Sequence, residues 1–353
     1  CRCGGGRYPQ AMVKLIRTFQ ASVLLVPLLY GLAACGGAAS NGEQYLQRIS
    51  AALDRPVITA PVELIPYPAR RTLQRPIPSL NISVAQFARL HACDMGGLLG
   101  ARNGSLARLA RDSQRLLYEL TWLEAAQGCI EQGQDWLQPL VEQKTSSLPD
   151  VLWNATFASA ELSTAMGQSV ASASHSAQAD QYFRMLSDLI NSALQQDRLP
   201  LDNEFENTLR QLTLTARIGE RRRNWSTLRT QLQAASDALS QREPPVCLSG
   251  LPNDRSRRLL AVFQRYYVTL WQVEFSQLLS ADERWLTALA RSIDLLQNSA
   301  PLEFQTWYDN TLNAQVSNSE WQRTKQAVAD HVHAWQGLFE QCGIDLATLR
   351  GTT

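Results

Sequence analysis

Four histidines carry whatever imidazole chemistry this chain has, and one of them stands beside an acid. His91 and Asp94 lie three residues apart next to Cys93, and Arg102 and Asn103 follow in a break made by Gly96, Gly97, Gly100 and Gly104. Those four polar residues are the best candidates for an enzyme's cleft. Without a second histidine nearby, such a pair more often makes a hydrogen bond on a helix surface. His331 and His333 are two apart, and on a helix that spacing points them nearly opposite ways, so packing or solvent exposure is expected rather than chelation. His175 sits in a Ser/Ala-rich stretch with no partner pattern. The chain has no G-x-S-x-G elbow, no supported S-x-x-K pair, no Walker-type loop and no dinucleotide fingerprint. Asn103-Gly104-Ser105 is explained by turn chemistry as well as by binding. No cofactor is expected, and no two cysteines lie at metal-ligand spacing.

The remaining chemistry is that of sulfur. Lys14 and Arg17 precede a short apolar run from Ala21 to Leu32, and Leu32-Ala33-Ala34-Cys35 follows. The run is too short for a membrane span, which needs about 20 apolar residues, and Pro27 and Gly31 weaken it further. Leu-Ala-Ala-Cys resembles the lipobox of exported bacterial lipoproteins. By that resemblance residues 12–34 are a signal peptide, Cys35 bears a diacylglycerol thioether, and membrane lipid is the first partner. Gly36, where an Asp retains enteric-type lipoproteins at the inner membrane, favours the outer one. Residues 1–11 fit no signal, which is expected if Met12 is the initiator.

Export implies an oxidising compartment, and four further cysteines remain: Cys93, Cys129, Cys247 and Cys342. Three connectivities are open to them, as is a set of buried thiols. Cys93–Cys129 and Cys247–Cys342 are preferred. The first would join two helices adjacent in sequence, and the second would tie a loop to the end of the last helix. Each bond should contribute roughly 4–5 kcal/mol in the chain-entropy account.

Without residues 1–34 the chain carries 29 basic and 32 acidic side chains, a net charge of −3. That balance gives no reason to expect nucleic acid as a partner, which calls for a clustered basic face. Arginines outnumber lysines 30 to 3, a bias that a high-GC genome produces by itself. The local clusters are Arg221-Arg222-Arg223, followed by Trp225, and Arg255 with Arg257 and Arg258. They are expected to meet lipid headgroups or an acidic partner if they lie on the surface.

The elements that must position these residues read as helices almost throughout. Residues 35–42 make a lipidated Gly/Ala tether and a first helix covers about 43–53. Residues 55–80 hold six prolines, which exclude a helix interior and predict an extended strap. Its interleaved Val57, Ile58, Val62, Leu64, Ile65, Tyr67, Leu73 and Ile77 predict that it is packed down. Ser83-x-x-Gln86 opens a helix to about Asp94, and Asp112 opens one to about Gln132. Further helices are expected near 136–144, 149–157 and 174–196. A hairpin of 201–218 and 225–241 is expected around the polar GERRRN run. Residues 243–253, with Pro244, Pro245, Gly250 and Pro252, divide an N-terminal helical region (43–243) from a C-terminal one (244–353), the two packed as one body. The fold class is all-α, a multi-helix bundle or array with an N-terminal proline-rich strap.

Arg75-Pro76-Ile77-Pro78, then Phe87, Leu90 and Cys93, then Ala101 to Leu106 form one recognisable run. Gln114 to Leu120 and Leu152-Trp153-Asn154-Ala155-Thr156-Phe157 extend it. The set resembles a family of gammaproteobacterial proteins known as a domain of unknown function, many with lipoprotein signals. Gly104 departs from the small polar residue expected there. The resemblance supports the address and a helical domain and carries over no catalytic residue. Three readings remain, the first two being a lipid-anchored periplasmic protein that binds an envelope protein as scaffold or accessory, and an envelope-acting enzyme centred on His91, Asp94, Arg102 and Asn103. A lipid or small-ligand carrier is a third. Non-reducing peptide mapping should find Cys93 linked to Cys129 and Cys247 to Cys342; a Cys93–Cys247 peptide contradicts that pairing.

Overall fold

The computed structural model describes residues 40–80, 82–90, 93, 95–98, 111–167, 179–195, 201–241, 245–248 and 250–345, and all that follows concerns these. Cys35, His91, Asp94, Arg102, Asn103 and His175 lie outside them. Among the described residues there are helices and no strands.

The first helix, α1 (Asn41–Leu53), starts two residues before the expected position 43, inside the expected tether. Ser40 caps it: its hydroxyl accepts from the Glu43 amide and Glu43 returns a bond to the Ser40 amide, closing a capping box. The polar Ser-Asn-Gly run is therefore a helix start and not a linker. Residues 55–69 and 74–80 are irregular, with one helical turn between them, α2 (Arg70–Leu73). This segment is fixed by side chains that satisfy its backbone. Trp153 Nε1 donates to the Leu73 carbonyl at 2.7 Å, and the Asn154 amide bonds both the NH and the C=O of Arg75 at 2.8 Å. Tyr67 donates to the Phe157 carbonyl at 2.8 Å. Ile58 and Ile65 depart from the expected packing and face solvent.

The body continues through α3 (Val84–Leu90), α4 (Asp112–Glu131), α5 (Gln138–Ala155), α6 (Ala160–Gly167), α7 (Ala179–Leu194) and α8 (Leu201–Thr215). The reciprocal Ser83–Gln86 bonds that the sequence suggests do open α3. Two short helices were expected where α5 is one. Pro149 stands inside it, removing a single ladder bond, and the burial of Leu148, Val151, Leu152 and Trp153 holds the helix across that gap. Cys93–Cys129 and Cys247–Cys342 are both disulfides, with Cα atoms 5.6 and 5.2 Å apart. Beside the second, Gly343 (φ +60°) passes so close to Gly250 that a Cβ there would lie 2.5 Å from the Gly250 carbonyl oxygen.

Beyond α8 the chain differs most from expectation. GERRRN is not a hairpin turn but the first turns of α9 (Ile218–Ser240), and the reversal falls earlier, at Ala216 and Arg217. Its first two arginines are buried helix residues, closed to lipid. Arg221 pairs with Asp282 and donates from Nε to the Ala216 carbonyl at 2.9 Å. Arg222 grips Glu320 in a two-pronged bond, both contacts at 2.7 Å, and donates at 2.8 Å to the Ile65 carbonyl of the irregular segment. Trp225, far from an interface, is buried and donates to Asp282 at 2.6 Å. A run of charges reads as surface in a sequence, but here each buried cation meets an acid supplied some 60 to 100 positions later.

The remaining elements are α10 (Asp254–Val262), a π-helix (Phe263–Trp271), α11 (Gln272–Leu295), α12 (Leu302–Thr311) and α13 (Glu320–Gln341). α10, the π-helix and α11 follow one another without a break. Arg255 and Arg258 face Asp54 at 3.3 and 3.8 Å, and Arg257 faces Asp254 at 2.7 Å, all on the surface.

Two apolar cores result, and they do not follow chain order. The larger gathers Leu116, Trp153, Phe183, Leu209, Trp285 and Phe304. The smaller gathers α1 with Leu232, Leu259, Trp271, Phe275 and Trp335. α9, α11 and α13 contribute to both: Trp225, Trp285 and Trp321 to the larger, Leu232, Phe275 and Trp335 to the smaller. The arginine pairs lie on these three helices. Asp282 is fully buried and accepts from Arg221, Trp225 and Trp285. Removing it strands a buried guanidinium and two indole NH groups, so Asp282→Ala should destabilise the fold by about 3–5 kcal/mol in denaturant titration. A loss under about 1 kcal/mol would show that the pair does not hold the helices together.

Candidate functional site

The polar centre that the described residues assemble is not the one suggested by His91 and Asp94, which lie outside them together with Arg102 and Asn103. It is built on His331, which is buried on α13 between α1 and α9, while His333 is exposed two positions on. Helical geometry dictates that separation. The Tyr45 hydroxyl of α1 lies 2.6 Å from His331 Nε2, and Ser236 Oγ of α9 lies 2.9 Å from Nδ1. Trp335, one turn after His331, places its Nε1 2.8 Å from the Tyr45 oxygen.

Donor counting orders the protons. The Ser236 hydroxyl donates to the Leu232 carbonyl at 2.7 Å, so Nδ1 carries the proton that meets Ser236 Oγ. Nε2 then accepts from Tyr45, and the Tyr45 oxygen accepts from Trp335. Each side-chain polar atom of Tyr45, Ser236, His331 and Trp335 then has a partner, and the imidazole is neutral. The surroundings are aromatic: Tyr267 and Tyr45 approach the ring edge-on, at 4.9 and 5.7 Å between centroids. Burial pushes the His331 pKa down to about 3. Burial also raises Tyr45 well above the usual phenol value, with the Trp335 hydrogen bond acting the other way.

Ser236 opens on a surface cleft of about 730 Å³ between α9 and α13, lined also by Asp237, Asp330, His333, Glu340 and Gln341. Serine, histidine and a phenol in line outline a nucleophilic relay, but the electrostatics oppose one. An imidazole this weakly basic does not take the serine proton near neutral pH, and a neutral phenol in place of a carboxylate cannot stabilise an imidazolium. The relay is a neutral polar clamp that fixes α1 to α9 and α13 beneath an acidic cleft. A second cleft, about 540 Å³, lies among α4, α6 and α8, with Arg111, Glu161, Arg210 and a Ser113–Glu206 hydrogen bond of 2.8 Å on its walls. Among the described residues no group of three His, Cys, Asp or Glu side chains is placed to hold a metal.

No local signal marks this clamp, since Tyr45 and His331 are 286 positions apart. The only sequence trace is the His331/Trp335 spacing of one helical turn. Its pH behaviour is testable. The folded pKa is depressed, so as pH falls below the unfolded value of about 6.5 the unfolded chain takes a proton that the folded one does not. Stability present above that value is therefore lost as pH falls toward about 3. Relative to His331→Gln, the wild type should lose its advantage at about 1.4 kcal/mol per pH unit, measured by urea unfolding. A gap that stays constant with pH refutes a neutral, buried His331.

A family model described as "Protein of unknown function (DUF3080)" matches residues 42–346, from the first turn of α1 to just past the Cys247–Cys342 disulfide. No curated protein and no solved structure matches the chain. Because that match covers most of the chain and the whole helical body, the chain belongs to the DUF3080 family.

Proposed function

We propose that this protein works by binding, as a scaffold or assembly accessory of the cell envelope, held to the membrane by lipid on Cys35 and facing the periplasm, with the outer membrane favoured. The observation that carries the reading is the distance along the chain between anchor and body. Ser40 already caps α1, and Tyr45 is already in the core, so only five residues separate the lipobox cysteine from a rigid element. A tether that short spans at most roughly 17 Å, which keeps the body at the membrane surface. Two disulfides support an oxidising address. Charged and polar clefts support recognition of a polar partner surface, and the His331 clamp, neutral and weakly basic, supports a structural use of its one buried imidazole.

The reading is tested in whole cells. Mass spectrometry of the wild type should find a lipid-modified Cys35, and Cys35→Ala should move the protein from the membrane to the soluble fraction. Crosslinking of the wild type followed by partner identification should recover envelope proteins. Membrane retention of Cys35→Ala defeats the anchor, and recovery of no envelope protein defeats the scaffold.

A further inference from the structure

The π-helix Phe263–Trp271 runs for nine residues, where such winding is mostly confined to single turns and recurs at functional sites. Its i, i+5 register is visible in the Thr269 hydroxyl, which donates to the Gln264 carbonyl at 2.7 Å. An α-helix over the same residues would be expected to bury Leu270 with Phe263 and Tyr267. The wider winding instead turns Leu270 outward. Val268, Leu270 and Val273 are 39%, 40% and 49% exposed, three aliphatic side chains within six positions, while Tyr267 and Trp271 stay in the core.

That patch adjoins the start of α1. The Asn41 amide donates to the Glu274 carboxylate at 2.8 Å, directly after Val273. Gly42 lies so close to Trp271, the neighbour of Leu270, that a Cβ there would meet its ring at 3.0 Å. Asn41 and Gly42 are thus seated against the segment that exposes the three aliphatics. Basic charge borders them. Arg265, one π-turn before Leu270, and Arg48 of α1 place their guanidinium groups 5.8 and 5.1 Å from the Tyr266 ring, and both are exposed.

We infer that the Val268–Leu270–Val273 face, bordered by Arg48 and Arg265, is the surface that lies on the phospholipid bilayer. The inference rests on lipid being attached at Cys35, five residues before Ser40. An acyl anchor six positions before Asn41, so within roughly 20 Å of that end of α1, brings this adjoining face toward the interface. Aliphatic side chains enter the headgroup and acyl boundary while arginines meet lipid phosphates, the pattern by which amphipathic surfaces sit on membranes. The anchor then does more than retain the body. It fixes which side faces the membrane and which clefts stay open to the periplasm.

The test uses the full lipidated protein in vesicles of phosphatidylethanolamine and phosphatidylglycerol, with and without lipids brominated near the headgroup end of their acyl chains. Leu270→Trp adds an indole at the face, and Leu302→Trp adds one at the start of α12, where Leu302 is 74% exposed and lies in a different core's helix. Emission added by Leu270→Trp, measured against the wild-type background, should be mostly lost to bromine, and that added by Leu302→Trp should be retained. Mass spectrometry of the same samples reports the state of Cys35. Lipidated Cys35 with no quenching at position 270, or equal quenching at both positions, overturns the membrane face and leaves the anchor standing. An unmodified Cys35 overturns the anchor and the face with it. Far-UV circular dichroism and unfolding midpoints equal to wild type confirm that both variants are folded, as expected for substitutions at exposed positions.

Discussion

The fold depends on two adjacent arginines being taken out of water together. Arg221 and Arg222 sit on consecutive positions of α9 and point to different neighbours, Asp282 on α11 and Glu320 on α13. Burying even one such ion costs several kcal/mol unless a partner and full hydrogen bonding offset it. Here each has an acid partner and a backbone carbonyl besides, Ala216 for Arg221 and Ile65 for Arg222. Asp282 accepts from a guanidinium and two indoles, and Glu320 accepts both prongs of Arg222. Such an arrangement tolerates little displacement, so it sets the relative register of the three helices that run through both apolar cores. The register then decides which residues of α9 and α13 come together further on, where Ser236, His331 and Trp335 meet Tyr45.

The two polar centres have different characters. At Arg221 and Arg222 opposite charges are matched in a low-dielectric setting, and specificity of packing follows from their geometry. At His331 nothing is charged: the ring is neutral, the phenol is protonated and the indole only donates. Such a relay has no driving force for proton transfer near neutral pH. It also recruits α1 to the body: the helix is pinned by the Tyr45 hydroxyl and ringed by Tyr267 and Trp271.

Local signals in the sequence translated well into local structure. Ser83-x-x-Gln86 marks a helix start because both reciprocal bonds are made within one turn, and Asp112 opens α4 at the expected place. The two disulfides are the preferred pairing among the three that the sequence leaves open. Four features were not legible, each for a physical reason. GERRRN looks solvent-facing because the acids that neutralise it are far away in the chain. Pro149 looks like the start of a separate helix because tertiary burial of Leu148 and Trp153 has no local trace. The π-winding after Val262 is invisible because an α-helical period fits Phe263, Tyr266 and Tyr267 nearly as well; only Leu270 betrays it. The His331 site could not be read either, since its members are scattered over four-fifths of the chain and its histidine resembles any other apolar-face histidine.

The account makes the two cores one cooperative unit, because α9, α11 and α13 pass through both and the buried arginines fix their register. The most direct measurement is equilibrium unfolding of the disulfide-intact protein followed by site-resolved hydrogen exchange, comparing α1 and α13's second half with α7. The account predicts that amides in both cores exchange through one global opening with the same free energy and denaturant dependence. Exchange through two openings, with the α1 core released well before α7, would show that the cores are independent and that the arginine pairs do not couple them.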